Sequence, residues 1–275
     1  VQLGTVDDVG IAAVHLPRLF TVGIDWHFYR LPRRALWRGW LPLCKARRLR
    51  MELRHALRTT GAIREFADRP VSDATVRDIL EDARFAPSGG NRQAWRVIVV
   101  RDEATKMALR EIYLDGWHDY VAHLLAGLTP FSPVATADER ERASSFREAA
   151  VERSRPEGFA ESFEKVPVQI VVLADLSALA AVDRDLDRYS FAGGGSVYPF
   201  AWNILLAARE RGLGGVMTTM VVRDESAVRE VLHIPENFAV ATVIALGYPV
   251  KEFTQLRRRA VEEFANVDRF DGPSL

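Results

Sequence analysis

From residue 72 to 86 the apolar residues Val76, Ile79, Leu80, Ala83 and Ala86 recur every three or four positions, the spacing of one helical face. Ser72 is placed to cap that helix and Pro87 to end it. Residues 95–101 then read as a strand. Asp102 and Glu103 supply negative charge where a helix N-terminus favours it, and residues 104–123 alternate apolar and polar faces at helical spacing. Residues 166–174 are nearly all apolar and β-branched, the pattern of a strand covered on both faces. After Gly193, Gly194 and Gly195, the segment 196–211 is apolar almost all round from Val197 to Ala208, so the helix it predicts must be buried. Pro199 suits its first turn and Gly212 its C′ position. Residues 217–222 and 238–246 complete the predicted strands, a helix over 224–232 lies between them, and a short helix over 51–57 precedes the series. Helices alternating with strands predict an α/β layered domain, with strand order left open. Residues 124–167 combine Pro130, Pro133 and Pro156 with a charged run over 138–155, which predicts a loop and an exposed helix.

The first fifty residues break this pattern. Residues 36–49 follow no helical or strand period, and Pro17, Pro32 and Pro42 interrupt the segment. It holds nine Lys or Arg against three acidic residues, half of the six tryptophans and the only cysteine, Cys44. Because the whole chain carries no net charge, this excess of about +6 leaves about −6 on the remainder. Three readings stand: a basic surface-binding arm, a poorly ordered extension, or upstream sequence translated from a mis-assigned start. Met51 falls where the patterned domain begins, which favours the last. The chain thus divides into an atypical extension over 1–50 and a domain over 51–275.

Composition narrows the function classes. Zero net charge gives no basic field for nucleic acid, and no run approaches the roughly 20 apolar residues needed to span a bilayer. A single cysteine excludes an intramolecular disulfide or a thiolate metal cluster, which suits a reducing cytoplasm. Small molecules are the expected partners.

The candidate chemistry centres on residues 86–95, Ala-Pro-Ser-Gly-Gly-Asn-Arg-Gln-Ala-Trp, where a helix exit leads through a polar loop into a strand. Gly89 and Gly90 open backbone angles closed to other residues, while Ser88, Asn91 and Gln93 offer donors and acceptors that suit the edge of a planar heterocycle. An ordinary polar turn is the alternative reading of these ten residues alone. Four ordered motifs decide between them. Pro87, Ser88, Gly89, Asn91, Gln93 and Trp95 match a Pro-Ser-small-x-Asn-x-Gln-x-Trp segment. Residues 59–66 end in Arg64-Glu65-Phe66, residues 211–219 carry a Gly-Leu-Gly turn into a strand, and Arg257-Arg258-Arg259 precede a C-terminal stretch ending in Asp268-Arg269-Phe270. Together they resemble the FMN-dependent nitroreductase family over about residues 51–275.

That resemblance implies the nitroreductase fold, a central mixed β-sheet flanked by helices in an intertwined homodimer whose active sites lie at the interface. It implies FMN, with NAD(P)H as electron donor and a nitroaromatic, quinone or flavin-like acceptor reduced by a ping-pong mechanism. A flavin-binding or sequestering protein without nicotinamide turnover is the alternative. By resemblance Arg64 and Arg258 converge on the FMN phosphate, which a planar guanidinium suits. Pro87, Ser88, Gly89, Asn91 and Gln93 approach the ring from one subunit, and the backbone of Thr218 and Thr219 approaches its redox-active edge from the other. Residues 124–167 correspond to a substrate-dependent lid. Gly61 stands where the family has a basic residue, with Arg58 and Arg92 as candidate replacements. Thr218 and Thr219 also read as plain β-branched strand residues.

Other chemistries find little support. His118 and His123 are five apart, off the i, i+4 spacing of a helical metal pair, so no metal site is expected. Ser88 lies in no G-x-S-x-G elbow, and no G-x-G-x-x-G dinucleotide fingerprint occurs. Asp115, His118 and Tyr120 are candidates to shape substrate binding, with ordinary surface polarity the plainer reading. Asn203, within the apolar 196–211 helix, requires a hydrogen-bond partner if buried.

Overall fold

A computed structural model describes residues 51–275; the extension over 1–50, with Cys44, lies outside the described residues. Local signals place most helices. In α1 (Leu53–Thr59) the Glu52 carboxylate caps the first turn. In α2 (Asp73–Ala83) the Ser72 hydroxyl accepts from the Thr75 N–H at 3.1 Å, and Val76, Ile79 and Ala83 are buried. This helix ends earlier than the pattern predicts because its exit tightens: the Phe85 and Ala86 N–H groups bond three residues back, to Asp82 and Ala83, just before Pro87. Asp102 caps α3 (Glu103–Leu125), accepting from the Thr105 N–H at 2.8 Å. In α6 (Tyr198–Glu210) Pro199 sits in the first turn, and Gly212 beyond its end adopts φ +74°. Asn203 of α6 finds its partner in the Ala83 carbonyl at 3.5 Å, and so finishes the C-terminus of α2.

The sheet contains β1 (Trp95–Val100), β2 (Val168–Asp175), β3 (Gly214–Thr218) and β4 (Phe238–Gly247) in the order β1-β2-β4-β3. Among the described residues every strand pair is antiparallel, and a parallel component enters only through the isolated bridge from Ala62 to Gly215. β2 is central, and its period of two divides the core. Ile170 and Val172 face α2 and α6, packing with Ile79, Ile204 and Ile244, whereas Val171 and Leu173 face α3 and pack with Leu109, Phe163 and Val243. Each fully buried aliphatic side chain of this kind stabilises the fold by roughly 1.5–3 kcal/mol. Trp95 stacks on Phe200 at a centroid distance of 4.8 Å, fixing the start of β1 against α6. Lys106 is buried; its Nζ donates to the Val166 carbonyl at 2.6 Å and the Pro167 carbonyl at 3.3 Å, tying α3 to the entry of β2. Burial lowers the pKa of its ammonium, and the nearby Arg101 charge adds to this.

Two regions differ from the sequence reading. The strand expected over 217–222 is displaced: β3 occupies Gly214–Thr218, and Met220–Asp224 form a 3-10 turn. The two glycines allow the close approach. A Cβ on Gly214 would meet Ile63 Cγ1 at 2.6 Å, and one on Gly215 would meet the Ala245 carbonyl. After Thr218 the chain leaves the ladder and passes beneath α3, where Gly116 makes room for the Met220 carbonyl and Val221 is fully buried. The charged run over 138–155 forms two helices, α4 (Ala137–Ser144), opened by a Thr136–Glu139 capping box, and α5 (Arg147–Glu152). Arg147 of α5 forms ion pairs with Asp115 and Asp119 of α3. The helix expected over 224–232 is α7 (Glu225–Leu232), with Asp224 as its N-cap.

Candidate active site

The end of β3, the segment after α1, one face of α3 and the segment after α5 enclose a cavity of about 480 Å³. Arg64, Thr218, Thr219, Met217 and Met220 line it from the sheet side. Tyr113, Trp117, Tyr120 and Phe159 supply an aromatic wall. Tyr113, Trp117 and Tyr120 project together because they lie four and three residues apart on α3. Tyr113 stacks on Phe163 at 4.3 Å and meets Phe159 edge-on at 5.9 Å, while Trp117 stacks on Tyr120 at 5.2 Å. The Arg64 guanidinium lies 6.0 Å from the Phe159 ring centroid.

Thr218 is more than a β-branched strand residue. Its hydroxyl donates to the Tyr113 hydroxyl at 3.1 Å, and its carbonyl accepts from the Thr242 hydroxyl at 2.7 Å, so the end of β3 is fixed on two sides. Burial raises the Tyr113 pKa, with the Thr218 hydrogen bond and the Arg64 charge acting in the opposite direction. Tyr113 is therefore neutral at physiological pH. Thr219 follows at the point where the chain leaves the ladder, and its N–H donates to no other group among the described residues. A backbone N–H without a partner, on a residue that lines a cavity, is available to a ligand acceptor.

Residues 88–93 form a compact, exposed turn away from this cavity. The Ser88 hydroxyl accepts from the Gln93 N–H at 2.9 Å, and the Asn91 N–H donates to the Ser88 carbonyl at 2.9 Å. Gly90, Asn91 and Gln93 all have positive φ, at 60°, 53° and 52°. For Gln this is an uncommon conformation, which the surroundings must enforce. Ser196 does part of that, its hydroxyl accepting from the Gly89 N–H at 3.0 Å. The segment before Ser196 is organised by Asp183, whose carboxylate accepts from the Phe191 N–H at 2.9 Å, the Arg188 guanidinium at 2.7 Å, the Ser190 hydroxyl at 2.8 Å and the Ala192 N–H at 3.2 Å. These bonds, that from Phe191 foremost, hold its pKa far below the ordinary carboxylate range.

Within one chain, then, Arg64, Thr218 and Thr219 come together, whereas Pro87, Ser88, Gly89, Asn91 and Gln93 remain outside that cavity. Arg258 is separate from Arg64. It lines a second cavity of about 610 Å³ beside α1, together with Arg58, His55 and Thr254. Arg64 and Arg258 thus line different cavities of one chain, and residues 253–256 pack over Gly61. A Cβ there would meet Phe253 Cδ2 at 2.5 Å and Leu256 Cδ2 at 2.9 Å, and the Leu256 N–H donates to the Arg58 carbonyl at 3.1 Å. A side chain at position 61 would have to displace Phe253 and Leu256, and Arg58 is the candidate replacement that lies beside Arg258. Arg92 instead packs against Gly90.

The sequence reading missed the aromatic wall and the two arginines after α5, Arg153 and Arg155, which complete the cavity lining with Glu161. The i, i+4, i+7 spacing of Tyr113, Trp117 and Tyr120 was the available signal for the wall. Of the three residues read as surface-polar, Tyr120 lines the cavity, Asp115 ion-pairs with Arg147, and His118 Nε2 bonds the Ser154 hydroxyl at 2.7 Å. Burial lowers the His118 pKa, and Arg147 lowers it further. Among the described residues no cluster of His, Cys, Asp and Glu could hold a metal ion, and no helix is long and apolar enough to cross a membrane.

A model of the nitroreductase family matches residues 57–248. The NADH dehydrogenase of Thermus thermophilus is 33% identical over 194 residues, covering 70% of this chain and 83% of that protein. The 4-nitrobenzoate reductase of Pseudomonas putida is 27% identical over 226 residues, covering 76% and 92%. Among solved structures, the FMN-dependent nitroreductase of Clostridium difficile R20291 superposes with a TM-score of 0.52 at 19% identity, covering 79% of this chain and all of that one. The sequence motifs, the four-stranded sheet between two helical layers and these matches agree: the chain belongs to the nitroreductase family and has its α+β fold.

Proposed function

We propose that this chain is an FMN-dependent oxidoreductase that takes reducing equivalents from NAD(P)H and passes them to a nitroaromatic, quinone or flavin-like acceptor, working as a cytoplasmic homodimer through residues 51–275. The observation that carries this reading is the cavity uniting Arg64 with Thr218 and Thr219, from two motifs far apart in sequence, beside an aromatic wall. Its donor set fits the cofactor: a fixed cation in Arg64 and the backbone of Thr218 and Thr219 at the end of β3, with the aromatic wall left for the ring of the acceptor. FMN, held by these residues, would supply two-electron redox chemistry between the nicotinamide donor and the acceptor. The residues present need only bind, orient and tune. Arg64 would neutralise negative charge on the cofactor, and the Thr219 N–H would favour charge at the ring edge it faces. Tyr113, neutral and held by Thr218, would keep that edge in place and limit water. This division of labour accounts for the lack of an acid–base pair in the cavity.

The exposed turn at residues 88–93 supports the dimer. A rigid loop with three left-handed residues, placed outside its own chain's cavity, is suited to complete the site of a second copy. The exposed Phe264 and Phe270 near the C-terminus would be covered by the same assembly.

The test is FMN retention by the full chain. Arg64→Ala and Arg258→Ala each remove a charge-assisted contact worth roughly 1.5–3 kcal/mol, so the FMN Kd rises about 10- to 150-fold in either variant. Wild-type retention in both would end the phosphate assignment.

A further inference from the structure

Arg153 and Arg155 follow α5 and line the same cavity as Arg64. Three guanidiniums and one carboxylate, Glu161, therefore line the pocket, an excess of two positive charges. None of the three arginines forms an ion pair among the described residues, whereas the part-buried Arg110, Arg209 and Arg211 all meet carboxylates. The one carboxylate is partly occupied, since Glu161 Oε1 accepts from the Arg155 N–H at 3.1 Å. The two arginines sit on an anchored segment. Between them Ser154 turns the other way and bonds His118 of α3 at 2.7 Å, the Gly158 N–H closes a turn on the Arg155 carbonyl at 2.6 Å, and Arg110 Nε donates to the Glu161 carbonyl at 2.9 Å. Arginine is suited to this task because its fork stays charged and meets a carboxylate through two parallel bonds.

We propose that Arg153 and Arg155 select the acceptor, making this a site for an aromatic acceptor that carries a carboxylate. The inference rests on the flavin reading above: Arg64 serves the cofactor, the aromatic wall takes the acceptor ring, and Arg153 and Arg155 take its anionic group. The phosphates of the nicotinamide nucleotide are the other anions that could meet these residues, and ping-pong kinetics separate the two, because kcat/KM for donor and for acceptor are measured independently.

The experiment compares 4-nitrobenzoate with nitrobenzene as acceptors for the full-length, FMN-loaded protein. In the wild type 4-nitrobenzoate is preferred. In Arg153→Gln/Arg155→Gln the ratio of the two kcat/KM values falls at least tenfold, chiefly through KM for 4-nitrobenzoate, and Arg153→Lys/Arg155→Lys recovers part of it. A ratio unchanged between wild type and the Gln variant overturns the inference. So does a loss confined to kcat/KM for NAD(P)H. Equilibrium titration of 4-nitrobenzoate into the same proteins provides a readout without turnover: at least tenfold weaker binding by the Gln variant is expected, and equal binding again overturns it. Failure of the flavin reading is seen separately, as a wild-type protein that does not hold FMN.

Discussion

Gly116 lies in the middle of α3, where the helix crosses the 3-10 turn that follows β3, and Gly116→Ala tests how tightly that crossing fixes the candidate site. A Cβ at this position would stand 2.5 Å from the Met220 carbonyl oxygen and 3.3 Å from Arg223 Cγ. Ordinary contact begins near 3.4 Å, so the backbone must move by about 0.9 Å. Two effects compete. Alanine is the better helix former by about 0.8–1 kcal/mol, whereas overpacking costs about 1–3 kcal/mol. The obstacle here is a backbone carbonyl rather than the end of a flexible side chain, which places the cost toward the upper end of that range. The net expectation is destabilisation by about 1–2 kcal/mol, a Tm lower by about 2–8 °C for a domain of this size. The displaced residue adjoins Thr219, and a misplacement on the order of 1 Å at a reacting centre can cost about 100-fold in rate. Thermal unfolding and stopped-flow bleaching of bound flavin by NAD(P)H read the two consequences; the second is expected to slow at least tenfold. An equal or higher Tm with an unchanged bleaching rate would show that helix propensity prevails and that the crossing does not position the site.

Two further outcomes concern the exposed loop. Ser196→Ala removes the acceptor of the Gly89 N–H, a hydrogen bond worth about 1 kcal/mol, so FMN retention measured by ultrafiltration weakens several-fold with little change in global unfolding. Asp183 has a folded-state pKa below its ordinary 3.8, so its contribution to stability is fully present above about pH 4 and is lost as pH falls toward the folded value. Urea midpoints of wild type and Asp183→Asn should therefore differ at pH 7 and draw together below about pH 4. A difference that grows on acidification would contradict the assignment.

The helices and the central strand were legible because local and tertiary demands agree there. Ser72 and Asp102 are caps by composition and by geometry, β2 is apolar because both faces are covered, and Pro199 with Gly212 brackets α6 as the pattern indicates. The reading failed where a distant contact decides. Thr218, Thr219, Val221 and Val222 have the composition of a strand, but the ladder runs through Gly214 and Gly215, whose lack of a side chain admits Ile63 and the Ala245 backbone. The capping box at Thr136 was readable in the four residues that form it, while the break between α4 and α5 was not. Within the candidate site, Arg64, Thr218 and Thr219 followed from motifs. Arg153 and Arg155 did not, because in sequence they belong to a charged run and only the fold of the segment after α5 brings them to the cavity.

The most direct test of the account is an anaerobic visible spectrum of the full-length protein supplied with FMN, freed of unbound flavin, and recorded before and after NADPH and then NADH. Retained yellow flavin that bleaches with one of the donors is the predicted result. Flavin that is retained yet stays oxidised with both would contradict nicotinamide turnover and favour a flavin-holding role, and a colourless protein that cannot be reconstituted would contradict the assignment of the cavity to FMN.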